Sequence, residues 1–218
     1  MAYSRGTNTN IIVGAAALFI ADTTLTPNSM EAFVADESFR ETLAENVDYT
    51  NVGYTMNGLE LQFQPDFGEV QVDQLLDVAK LYKQGMQVNL ATAFAEATLE
   101  NLLYALAFSD TQLTGTNAAN ATATQKSNGR VLDLSGGAIG ECPVERGIVA
   151  VGPGTGDCDN SANVERVYTA YRALSIENVT VSAKRDEASM FEVSFRLLPH
   201  DLGSYGKIVD RTWNIANS

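Results

Sequence analysis

Between Val47 and Leu106 the sequence alternates apolar and polar residues one by one through three short runs, then switches to a helical period. That succession limits this part of the chain to a half-buried sheet backed by a helix. In Leu59-Glu60-Leu61-Gln62-Phe63-Gln64 every second residue is apolar. Pro65-Asp66-Phe67-Gly68 has the residues of a turn, and Glu69-Val70-Gln71-Val72-Asp73 resumes the alternation, so a hairpin is expected here. Met86, Val88, Leu90, Thr92 and Phe94 mark one face of a third strand, and Gln87, Asn89, Ala91 and Ala93 mark the other. The polar faces consist of glutamine, asparagine and carboxylate, with no lysine or arginine on any of the three runs. A dry side and an evenly polar, cation-free side are what a wall facing an aqueous channel requires.

Leu99, Leu102, Leu103 and Leu106 follow at i, i+3, i+4 and i+7, a single apolar stripe on a helix. Glu96 and Glu100 sit in its first turns, where negative charge suits the helix dipole. A weaker helical stretch is expected from Ser29 to Glu45 around Met30, Phe33, Val34 and Phe39. Near the end of the chain Val179, Val181 and Ala183 alternate with Asn178, Thr180 and Ser182. Lys184-Arg185-Asp186-Glu187 reads as a charged turn, and Phe191, Val193, Phe195 and Leu197 alternate with Glu192, Ser194 and Arg196. A second hairpin is expected there, and a last strand from Gly206 to Trp213. The pattern predicts a mainly β, α+β fold: six or more strands rolled or folded on themselves as a β-sandwich or half-barrel, with one flanking helix against the dry face.

Phe108 to Leu174 is looser in pattern. It holds the polar run from Thr114 to Thr124 and the glycine clusters Gly136-Gly137 and Gly152-Pro153-Gly154-Thr155-Gly156. Short strands are expected within it near Arg130–Leu134 and Gly147–Val151. The closing strands are too few to form a core of their own, so residues 1–218 are read as a single domain with an insertion at about 108–174.

The net charge of -13 repels phosphate and argues against tight binding of nucleic acid. The longest apolar run, Ile11 to Ala21, is about half the ~20 residues a membrane-spanning helix needs. Polar residues precede it and Asp22-Thr23-Thr24 follows, so it reads as a buried strand and not as an export signal. Cys142 and Cys158 either pair or stay reduced, and their setting does not suggest zinc.

The search for catalytic chemistry returns little. His200 is the single histidine, beside Asp201, without a nucleophile-elbow serine or cysteine. Gly152 to Asp157 lacks the Gly-Lys-Ser/Thr ending of a phosphate loop. Asp157, Asp159 and Asn160 lack the glycine and distal glutamate of an EF-hand. Asp66, Glu69 and Asp73 have no general-acid environment. No cofactor or metal site and no enzymatic activity are expected.

Gly58-Leu-Glu-Leu, Glu69-Val-Gln-Val-Asp73-Gln, and Val88 through Ala95-Glu96-Ala-Thr-Leu-Glu-Asn-Leu-Leu103 together resemble the tail tube proteins of long-tailed bacteriophages. The late Phe191 to Leu198 strand, followed by Pro199-His200-Asp201 and Tyr205-Gly206-Lys207, fits the same family's ending. The similarity covers roughly Val47 to Leu106 and Ile176 to Trp213 and rests on the order of the pieces rather than on one motif. It implies a subunit whose strands join those of its neighbours in hexameric rings, stacked into a tube that conducts DNA into the host. It implies other tail proteins as partners (tape measure, sheath or terminator) and no membrane. It places the protein in the virion, after assembly in the cytoplasm of the bacterial host.

On that resemblance the lumen-facing residues would be Glu60, Gln62, Gln71, Gln87 and Asn89, with Thr180, Ser182, Glu192 and Ser194 from the late hairpin. Contacts between rings would come from Met1–Asn10, Glu45–Asn57 and Asn214–Ser218, and Phe108–Leu174 would be an insertion on the outer surface. The alternative is a monomeric β-sandwich binding module, for example for glycans, using Tyr168, Tyr171 and Trp213.

Overall fold

The computed structural model describes residues 12, 14–27, 38–115, 129–155, 163–182, 185–186, 188–201 and 203–213. The fold is mainly β, an antiparallel sheet with two helices. The strands are β1 (Ala17–Ala21), β2 (Tyr49–Asn51), β3 (Thr55–Val70), β4 (Lys80–Phe94), β5 (Leu113–Gly115), β6 (Arg130–Leu132), β7 (Arg146–Pro153), β8 (Asn163–Ser175), β9 (Phe191–Leu198) and β10 (Gly206–Trp213). The helices are α1 (Phe39–Glu45) and α2 (Leu99–Ala105).

The main sheet runs β2-β1-β7-β8-β9-β4-β3, and β10 also pairs with β8. β8 therefore holds two partners on the side away from β7. Its first half pairs with β10, from Asn163↔Trp213 to Ala170↔Gly206. Its second half pairs with β9, from Arg172↔Leu198 to Ser175↔Phe195. The sheet splits there into two leaves, β10 on one side and β9-β4-β3 on the other. At Gly206 the split leaves no room for a side chain, since a Cβ would meet the Thr169 carbonyl oxygen.

One face of the sheet is dry across β1, β7, β9 and β4. Leu18 and Ile20 of β1, Ile148 and Ala150 of β7, Val88, Leu90 and Phe94 of β4, and Val193, Phe195 and Leu197 of β9 share a core with Leu103 and Tyr104 of α2. The opposite face is dry only across β1, β7 and β8. There Phe19, Val149, Val151, Val167 and Tyr171 pack under Phe39 and Leu43 of α1. β7 has apolar neighbours on both faces, which is why it reads as Ile148-Val149-Ala150-Val151 instead of alternating.

Two buried ionic groups pin the periphery to this frame. Glu165, inside β8, accepts the Ser38 hydroxyl (2.6 Å) and the Phe39 N–H (2.9 Å), so a strand carboxylate caps α1. Arg146 donates to the carbonyls of Asp22 and Phe108 and to the Asp110 carboxylate (2.8 Å), and its guanidinium lies 4.9 Å from the centre of the Tyr104 ring.

Several expectations are corrected. Pro65-Asp66-Phe67-Gly68 is no turn; β3 runs through it for 16 residues, with an irregularity between Asp66 and Phe67, and the reversal comes at 71–79. Proline is tolerated because β3 is the last strand of the sheet, where a ladder donor can be missing. The late hairpin has one arm only. Residues 177–182 form no strand, and Phe191–Leu198 pairs with β4 and β8 instead.

Phe108–Leu174 is not an addition on the outer surface: it carries β7 and most of β8, the middle of the sheet. Its peripheral part includes the small β5–β6 ladder. Among the described residues there are two α-helices, on opposite faces, and α1 falls within the weaker helical stretch expected from Ser29 to Glu45. The rest of the stretch expected from Ser29 lies outside the described residues up to Ser38. On α2 the fully buried residues are Asn101, Leu103, Tyr104 and Ala105, so the leucine stripe is only partly sunk. Asn101 goes inward because its amide donates to the carbonyls of Val52 and Glu96.

Candidate assembly surface

β3, β4 and β9 form a three-stranded leaf whose outer side α1 does not reach. The ladders fix which residues share that side. Glu60 lies opposite Ala91, and Ala91 opposite Ser194; Gln62 lies opposite Asn89, and Asn89 opposite Arg196; Gln64 lies opposite Gln87, and Ala93 opposite Glu192. Glu60, Gln62, Gln87, Asn89, Glu192 and Ser194 are thus brought to one face, as their alternation predicts. The amides bond to their neighbours along the strand: Gln62 to Glu60 at 2.9 Å and Gln87 to Asn89 at 3.4 Å. Ser194 belongs to the face by register but is buried, and its carbonyl accepts the N–H of Ile176.

The remaining three candidates do not join this face. Gln71 lies just past the end of β3 and begins the reversal. Thr180 and Ser182 fall in the connection from β8 to β9, where the Ser182 carbonyl accepts the Ser189 hydroxyl. Nor is the face free of cations. Arg196 stands on it beside Asn89. Alternation locates a face, but pairing partners decide which distant strand completes it.

Beyond Val88 the pairing of β4 with β9 stops, and β3 and β4 continue as a two-stranded arm. Six residues of ladder separate Gln64 from Val70, about 20 Å at strand rise. Phe67, Val70, Leu81 and Tyr82 on the arm are exposed, as are Val72, Leu75 and Leu76 in its turn. At the root of the arm, between the two leaves, lies an open apolar groove of about 450 Å³. Leu61, Phe63, Met86, Tyr168, Leu197 and Ile208 are among the residues that line it. The Tyr205 hydroxyl donates to the Met86 carbonyl across it (2.8 Å). Among the described residues, the outer edges of β3 and β10 have no strand partner.

The catalytic candidates remain scattered. The Nδ1 of His200 is buried without a hydrogen-bond partner, and its ring stands edge-on to Tyr171 at 6.2 Å. Its backbone closes the corner between β9 and β10, donating to the Ser204 carbonyl at 2.9 Å. Asp66 and Glu69 are exposed on the arm and Asp73 in its turn, so they share no cleft. Among the described residues no group of three potential metal ligands occurs. Asp157, Cys158, Asp159 and Asn160 lie outside the described residues, and Cys142 is an exposed free thiol.

Of the aromatics a glycan site would use, Tyr171 is fully buried and Tyr168 faces the groove. Of the three segments considered for contacts between rings, Met1–Asn10 and Asn214–Ser218 are outside the described residues. Glu45–Asn57 is partly sunk, with Val52 buried and Val47 and Tyr54 exposed. No described helix is long and apolar enough to cross a membrane.

No protein-family model matches the chain, and comparison of its sequence with curated proteins finds no match.

Proposed function

We propose that this chain is a non-catalytic structural subunit, one domain in extent, that assembles with copies of itself into a hollow conduit. The tail tube of a long-tailed bacteriophage, built of stacked six-membered rings with DNA in transit, is the assembly it fits. The reading is carried by the polar leaf of β3, β4 and β9, which carries four amides, two carboxylates and one guanidinium across three paired strands, exposed at Glu60, Gln62, Gln64, Glu192 and Arg196 and half-buried at Gln87 and Asn89. A wall of that composition stays wetted and offers phosphate few cations to bind, so a polyanion passes without being held. The unpaired edges of β3 and β10 support the same reading, because strand pairing between neighbours in a closed ring would cover both.

In this reading Glu60, Gln62, Gln87, Asn89 and Glu192 line the bore. The protein resides in the virion after assembly in the host cytoplasm, and its other partners are tail components such as a tape measure, sheath or terminator. The test is the state of the purified protein as its concentration rises, followed by sedimentation and negative-stain microscopy. Rings or tubes with an open centre are expected. A particle of monomer mass throughout, with no rings in the images, overturns the proposal.

A further inference from the structure

Near its start β3 carries a bulge. Met56 pairs with Ala93 and Glu60 with Ala91, so Asn57, Gly58 and Leu59 stand opposite Thr92 alone. Three residues against one leave the ladder locally unpaired. Two successive residues there are left-handed, Asn57 at φ 66° and Gly58 at φ 72°. Both are exposed, and open space surrounds Gly58. The Thr92 hydroxyl anchors the bulge by donating to the Gly58 carbonyl at 2.8 Å.

An asparagine amide can be attacked from within the chain by the backbone nitrogen of the next residue. A β-branched neighbour crowds that nitrogen, whereas glycine leaves it bare. Asn51 and Asn178 are exposed as well, but valine follows each. Among the described residues Asn57 is the one asparagine followed by glycine, and the pair Asn128-Gly129 begins outside them. Ring closure also swings the backbone, which in a regular strand costs ladder hydrogen bonds. At 57–59 no register pair has to be broken, and β3 is the last strand of the sheet.

We infer that Asn57 is a site of spontaneous deamidation in the folded protein, its rate set by the Thr92 anchor. The Gly58 nitrogen bonds to the Asn57 Cγ, the Cγ–Nδ2 bond breaks, and the proton from that nitrogen leaves with the amide as ammonia. The cyclic imide then takes up water at either carbonyl, giving aspartate or isoaspartate. Each product adds one negative charge to β3. Isoaspartate also routes the main chain through its own Cβ and Cγ, which moves Gly58 off Thr92. The reaction needs no second copy, so it goes beyond the assembly reading and does not rest on it.

The test holds the purified full chain in mildly alkaline buffer and maps its peptides by mass spectrometry, with an enzymatic assay for isoaspartate. Asn57 should convert to both products while Asn51 and Asn178 stay intact. Thr92→Val removes the anchor and keeps the side-chain shape; it should speed the conversion about fivefold, the factor for losing one ordinary hydrogen bond. Thr92→Ser should return the wild-type rate. Glu165→Ala, which loosens α1 instead, should leave the rate unchanged. Native circular dichroism checks each variant.

An Asn57 that stays intact in the folded chain while the denatured chain loses it overturns the inference. A rate unmoved by Thr92→Val overturns it too. So does a rate raised equally by Thr92→Val and Glu165→Ala, because the reaction would then pass through global unfolding and not through the bulge.

Discussion

The carboxylate of Glu165 caps the N–H of Phe39, 126 residues away in sequence, at 2.9 Å. Both groups are buried, and the Ser38 hydroxyl completes the set at 2.6 Å. Helix α1 has no cap from its own Ser38 side chain, so its start is held from the sheet. Replacing Glu165 with Ala leaves a buried N–H and a buried hydroxyl unpaired. The expected loss is about 1–3 kcal/mol of stability, read from denaturant unfolding, with faster hydrogen exchange confined to α1 and its surroundings.

Arg146 and Asp110 form an unequal pair: the arginine is buried, and the aspartate is mostly in water. Asp110→Asn is expected to cost under about 1 kcal/mol, because the freed guanidinium keeps two carbonyl acceptors. Arg146→Met strands those carbonyls and the Tyr104 face and is expected to cost about 2 kcal/mol or more. Equal effects of the two substitutions in thermal unfolding would contradict this ordering.

Arg166 and Asp210 face each other directly across β8 and β10, bonded at 2.6 Å. The hydrogen bond from Arg166 holds the Asp210 carboxyl below the ordinary aspartate value. A carboxylate lowered in the fold stabilises above its unfolded value, and that contribution is lost as pH falls through the folded one. The stability difference between wild type and Asp210→Asn should therefore be full near neutrality, begin to shrink near pH ~4, and vanish only below the lowered folded value. A difference independent of pH would contradict the pairing.

Gly206 starts β10 against the Thr169 carbonyl, with no space for a Cβ. Gly206→Ala should push β10 away from β8, with a cost of about 1–3 kcal/mol and raised hydrogen exchange at Thr169 and Lys207. Exchange rates unchanged at those amides would count against it.

Gln62→Lys with Asn89→Lys adds two cations to the polar leaf, one at an exposed position and one at a half-buried position. Little change in stability is expected, within about 0.5 kcal/mol for each substitution. Salt-sensitive retention of DNA is expected in assembled wild-type-like particles, where the native wall retains none. Particles with the variant face and no gain in DNA retention would argue that this leaf does not line a bore.

The face was readable in the sequence because strand alternation is local: Glu60, Gln62, Gln87 and Asn89 follow from period two alone. So was α2, whose leucines repeat at helical spacing. Pro65 and Gly68 misled because turn chemistry depends on whether the strand is an edge, a fact set by the whole sheet. The alternation of Val179 and Val181 gives no strand for a related reason: β9 already has β4 and β8 as partners, and Ala183 lies outside the described residues. A strand was expected at Gly147–Val151, and β7 covers it, but its central place in the sheet was not legible, since a strand buried on both faces shows no alternation; β8 was not read as a strand. The groove had no signal at all, because its walls come from β3, β4, β8, β9 and β10.

β1 is sandwiched between β2 and β7, with Phe19 set against Val149. The central strand of the early sequence therefore waits for a partner synthesised some 130 residues later. Long-range pairing of this kind is slow to form. Its consequence is a form of quality control: a chain cut short before residue 146 lacks the slab on which everything else is mounted. Such a fragment lacks the central strands and cannot pass for the folded domain, so in the proposed assembly it would not stand in for a complete polypeptide.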